Sequence, residues 1–85
     1  MEEVHMYEVW VTDMPKKELH TLERIFRKND RESSDKGIFA KAGRVARGEP
    51  TLIRGFHEED SADRLVSEVG VHGGKAEVRK SEDAH

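Results

Sequence analysis

The chain has 85 residues, of which 34% are hydrophobic and 39% charged, and its 15 basic and 18 acidic side chains give a formal net charge of −3. A charged share well above the usual ~25% leaves apolar material for one small core and little for a deep buried pocket, which argues against a large enclosed active site. The acidic balance disfavours a duplex-binding domain, the lack of cysteine removes disulfides and thiolate zinc sites, and no apolar run approaches the ~18 residues of a membrane span.

The opening MEEVHMYE has no basic and apolar leader regions, so the expected location is the cytoplasm. Val4 to Thr12, VHMYEVWVT, is rich in β-branched and aromatic residues and predicts a strand. Tyr7, Val9 and Val11 share one face, the core face because it is wholly apolar; Met6, Glu8 and Trp10 share the other. Asp13 is a candidate cap and Pro15 suits the first turn of a helix. From Lys16 to about Lys28 the apolar residues Leu19, Leu22, Ile25 and Phe26 fall at helical spacing, with Arg24, Arg27 and Lys28 in the last turns, where positive charge offsets the macrodipole.

After the polar turn NDRESS, the stretch DKGIFAKAGRVARG reads in two ways. As a helix it puts Ile38, Phe39, Ala42, Val45 and Ala46 on one face, capped by Ser34 or Asp35 and ended by Gly48. As a strand it would pair with Thr51–Phe56. Gly37 and Gly43 oppose the helix, each costing up to ~1 kcal/mol, but apolar repeats of three and four favour it. Glu49-Pro50 breaks the chain before a short strand, Thr51–Phe56. A third helix runs from about Glu58 to Val69, with Ala62, Leu65, Val66 and Val69 as its stripe and Gly70, Gly73 and Gly74 as its terminators. KAEVRK, Lys75–Lys80, alternates as a last strand, and residues 81–85 read as a frayed tail. The prediction is a single α+β domain over residues 1–85, core 4–80. Its order is β-α-α-β-α-β, a two-layer sandwich with three helices on one face of a three-stranded antiparallel sheet.

No constellation carries catalytic chemistry. The five histidines, His5, His20, His57, His72 and His85, share no metal-binding spacing, and His57-Glu58-Glu59-Asp60 are consecutive residues that do not converge on one ion. The serines lack a neighbouring base, and GVHGG follows a helix where a phosphate cradle must precede one. The expectation is therefore no enzyme, no cofactor and no metal. Two features point to partner binding instead. Lys16, Lys17, Arg24 and Arg27 place a local basic surface on the first helix of an acidic protein. Met6 and Trp10 lie on the sheet face opposite the helices, where an aromatic patch would suit an interface, including a homodimer through that open face.

YEVWVTDMPKK runs an aromatic-acid-apolar strand into a Lys-Lys pair, and the closing segment carries Ala62, Leu65, Val69, Gly73 and KAEVRK. On these residues the chain resembles, from Tyr7 to Lys80, the C-terminal domain of the bacterial ribosomal stalk protein. The resemblance implies the same order of elements and a basic first-helix surface that recruits translation factors, onto which Lys16, Lys17, Arg24 and Arg27 carry over. The middle departs, since NDRESSDKGIFAKAGRVARG stands where that family has G-L-G-L-K-E-A-K, and the chain reads as a divergent stand-alone relative. The Clp protease adaptor has the same fold, and LERIF, Leu22–Phe26, resembles its first helix. Where the adaptor has N-D-D and V-H, this chain has Thr12-Asp13 and Val45-Ala46, which offer no cradle for an N-terminal amine. The leading expectation is a protein-binding module. A proteolytic adaptor or small regulator, and a nucleic-acid binder using the first helix, are the alternatives.

Overall fold

The computed structural model describes residues 4–30 and 33–83. Part of the NDRESS turn and the ends of the chain thus lie outside the described residues. Strand β1 (Val4–Asp13) is the centre of a three-stranded antiparallel sheet in the order β2-β1-β3, with β2 at Thr51–Phe56 and β3 at Lys75–Asp83. Alternation decides which face of β1 meets the helices. Val9 and Val11 are fully buried and Tyr7 packs on the core, whereas Met6, Glu8 and Trp10 stay partly exposed. Three helices supply the second layer: α1 (Leu19–Asn29), α2 (Asp35–Ala46) and α3 (Glu59–Val71). The core joins Val9 and Val11 to Leu22, Ile25 and Phe26 of α1, Ile38, Ala42 and Val45 of α2, Ile53 of β2, and Ala62, Leu65 and Val69 of α3. The order β-α-α-β-α-β and the helical form of residues 35–46 agree with the sequence reading, and the strand alternative is excluded.

Several details differ from that reading. The first helix opens with a 3-10 turn, Lys16–Glu18, and α1 proper begins at Leu19. Asp13 caps neither; it ends β1 opposite Lys75, and the turn is closed by the Glu18 amide donating to the Pro15 carbonyl at 2.8 Å. Residues Ser81–Asp83 are strand, paired with Val4–Met6, where a frayed tail was expected. Phe39 and Ala46 leave the core: Ile38, Ala42 and Val45 bury, but Phe39 is 71% exposed. Each residue turns a helix by roughly 100°, so Ile38, Ala42 and Val45 form a closed stripe with Phe39 and Ala46 on its flank.

The helix ends follow from local chemistry. The Ser34 hydroxyl accepts from the Gly37 amide at 3.2 Å, which places Gly37 in the first turn. Gly48 and Gly73 take φ of 80° and 82° and close α2 and α3 with paired bonds: Gly48 to Val45 and Glu49 to Arg44, Gly73 to Gly70 and Gly74 to Val69. Gly70 is an ordinary helical residue inside α3, so of the three expected terminators only Gly73 and Gly74 act as such. At Gly74 a Cβ would lie 2.8 Å from Val69 Cγ1, 2.9 Å from Met14 Sδ and 3.0 Å from the Asp13 carbonyl oxygen. That close approach seats the buried Met14 under the last loop.

Candidate functional site

The burial of Leu22, Ile25 and Phe26 fixes the roll of α1, so its remaining faces look outward. Lys16, Lys17, Arg24, Arg27 and Lys28 are all exposed. Arg27 is tied to Asp35 at 3.0 Å, and Lys28 lies 3.8 Å from Glu68. Among the described residues Lys16, Lys17 and Arg24 have no acidic partner within 4.0 Å. The cations fall on two flanks of the helix. Arg24 borders a cleft towards α3, with Thr21, Ile25, Lys28, Glu68 and His72. Lys16 borders a cleft towards α2 of about 240 Å³, lined by Leu19, His20, Glu23, Phe39, Ala42 and Gly43. The floor of that second cleft is apolar, and Gly43 lowers its α2 wall.

The α1–α2 hairpin that shapes this cleft is locked at its closed end. Lys41 Nζ donates to Asp30 Oδ2 at 2.6 Å and reaches the Ser33 hydroxyl at 3.4 Å. The Ser33 amide donates to Asp30 Oδ1 at 3.3 Å, and its hydroxyl donates to Asp30 Oδ2. The same ammonium sits 5.9 Å from the Phe26 ring centroid. The hydrogen bonds from Lys41 and then from Ser33 hold the Asp30 carboxyl down at about 2, below its ordinary 3.8.

On the open sheet face, Met6 and Trp10 are less available than the sequence implies. The Arg79 guanidinium lies 4.6 Å over the Trp10 ring, and the indole N–H donates to Glu8 Oε1 at 3.3 Å. Met6 fills the space over Gly55, its Cε 2.6 Å from where a Cβ would stand. Both residues are half-buried and share a face, but one ring face of the tryptophan is already occupied.

Among the described residues the histidines do not gather; His85 and the side chain of His5 lie outside them. His20 lies 3.5 Å from Glu23 on α1, and His72 lies 3.8 Å from Glu18 at the end of α3. Among the described residues no three His, Asp or Glu side chains converge as a metal site. Among the described residues no helix is long and apolar enough to cross a membrane. The residue that sequence reasoning missed is Phe39, because its spacing admits it to the α2 stripe. Spacing alone carried no signal to exclude it, because the core and surface readings satisfy the same periodicity. Compared with protein-family models, curated proteins and solved structures, the chain matches none.

Proposed function

We propose that this chain is a non-catalytic protein-binding module whose working surface is the α1–α2 cleft together with the exposed cations on the flanks of the first helix. The observation that carries the reading is Phe39. A phenylalanine 71% exposed at the mouth of an apolar cleft costs solvation that folding does not recover, and large aromatic side chains of this kind anchor interfaces. Lys16 beside the same cleft, with Lys17 and Arg24 also unpaired among the described residues, favours an acidic partner, because complementary charge speeds encounter and rejects wrong partners. The resemblance to the stalk-protein C-terminal domain supports the same surface.

The test is capture of a partner from cell extract by the wild type and by a variant with Lys16, Lys17, Arg24 and Arg27 all changed to glutamate. Exposed charges contribute at most about 1 kcal/mol each to folding, so the variant is expected to stay folded. Its partner should be lost, and the wild-type complex should weaken with salt. The captured species then separates translation factors, Clp components and nucleic acid. A folded reversal variant that retains the wild-type partner refutes the reading.

A further inference from the structure

The order β2-β1-β3 leaves two free sheet edges, and they are built differently. The β2 edge is blunted: it has six residues, follows Pro50, and carries an extra residue, Ile53, between the pairs Val9–Arg54 and Trp10–Leu52. Prolines and bulges are the ordinary means of closing an edge to further pairing. The β3 edge has neither. It runs nine residues without proline, and its one register shift lies on the β1 side, at Thr12. Among the described residues its main chain accepts one bond from outside the ladder, from the Thr12 hydroxyl to the Lys75 carbonyl at 3.3 Å. From Ala76 to Ser81 the outward-pointing backbone groups have no protein partner among the described residues.

The side chains along that edge select one occupant. We propose that β3 pairs antiparallel with β3 of a second copy about a twofold axis at Val78, continuing a six-stranded sheet. In that register Val78 faces itself, Glu77 faces Arg79 of the second copy, and Arg79 faces its Glu77. Lys75 then faces Ser81, and Ala76 faces Lys80. Centring one residue earlier sets Glu77 against Glu77 and Lys75 against Arg79; centring one residue later sets Arg79 against Arg79. Like charges directly opposed destabilise a strand pair and opposite charges stabilise it, so charge favours the Val78 register over its two neighbours. Glu77 and Arg79 are both exposed on one strand and already within 2.7 Å of each other, so either carboxylate oxygen or guanidinium edge can turn to a neighbour at little cost. A twofold axis perpendicular to the sheet keeps every helix on the same side, and α3, which packs over β3, would meet its own copy there.

A strand pair of this length lies at the small end of interface area, so the dimer is weak and concentration-dependent. Sedimentation equilibrium of the full chain from about 10 μM to about 1 mM should show the mass rising from 9.7 kDa towards twice that value. Glu77→Arg and Arg79→Glu should each remain monomeric, because each sets like charges across the axis. Mixed in equal amounts, the two variants should associate with each other. Either single change also removes the Glu77–Arg79 contact within the strand, and Arg79→Glu removes the stack on Trp10. Mixing restores neither, so recovery reads the intermolecular pairing alone. A wild type that is monomeric at about 1 mM, single variants that dimerise like the wild type, or a mixture that stays monomeric overturns the proposal. If a variant fails to fold, amide exchange on the wild type decides: protection across Ala76–Lys80 should rise with concentration, and concentration-independent exchange there overturns it.

Discussion

Two phenylalanines on neighbouring helices, Phe26 on α1 and Phe39 on α2, allow the core and the working surface to be separated by the same substitution. Phe26 is fully buried beneath α1, whereas Phe39 is 71% exposed on α2. Full burial of a phenylalanine is worth about 1.5–3 kcal/mol, and Phe39 has less than a third of its surface out of water, which leaves well under 1 kcal/mol. Alanine returns about 0.5 kcal/mol through its better helix propensity. Phe39→Ala is therefore expected to change stability by no more than about 0.5 kcal/mol. Phe26→Ala removes a buried ring and leaves a cavity, a loss of about 3–5 kcal/mol. For a chain of this size the whole stability is about 4–13 kcal/mol, so that loss leaves the domain near its limit. Urea unfolding followed by far-UV circular dichroism gives both midpoints. Partner capture is expected to fail for Phe39→Ala despite its wild-type midpoint. A Phe39→Ala loss above about 2 kcal/mol would place the ring in the core and remove the basis of the proposed surface.

Other substitutions test the packing and the lock. Gly74→Ala forces a Cβ against Val69, Met14 and the Asp13 carbonyl and should cost about 1–3 kcal/mol, whereas Gly70→Ala, with nothing within 4 Å, should gain about 0.5–1 kcal/mol. Thermal midpoints moving in the same direction for the two would refute that packing. The Asp30 carboxyl, held at about 2 against 3.8, contributes stability that is present above its unfolded value and lost as pH falls from about 4 towards 2. Lys41→Met removes the first cause of that depression, so the difference in urea midpoint between wild type and variant should shrink across that window. Parallel pH profiles would show that Lys41 does not hold the carboxylate.

The fold was legible because its elements carry redundant signals. Each helix has a single apolar stripe, and glycines with positive φ stand just past α2 and α3, at Gly48 and Gly73. β1 alternates cleanly, so Val9 and Val11 could be assigned inward from residue type alone. What escaped was set by contacts distant in sequence. The continuation of β3 to Asp83 depends on Val4–Met6 standing opposite it, and the sequence SED carries no strand preference of its own. The burial of Met14 depends on Gly74 sixty residues later admitting its sulfur. Asp13 has the chemistry of a cap, yet the ladder with Lys75 claims it first.

The candidate site divides along the same line. Exposure of the basic residues on α1 followed from the stripe, because a helix that commits Leu22, Ile25 and Phe26 inward has no choice about its other side. Pairing did not follow: Arg27 is matched by Asp35, which enters only because Lys41, Asp30 and Ser33 fold the hairpin back on itself. That closure also decides Phe39. With Ile38, Ala42 and Val45 turned to the sheet, the ring has one place to go, the mouth of the cleft that Leu19 and Lys16 border from the opposite helix. Periodicity could not distinguish it from a core residue, since both readings satisfy the same spacing. The number of stripe residues the sheet can accommodate is the missing quantity, and it is a property of the assembled layers. An aromatic surplus to the core and beside Lys16, which has no acidic partner within 4.0 Å among the described residues, is thus a signal that emerges only when the fold and the charge pattern are read together.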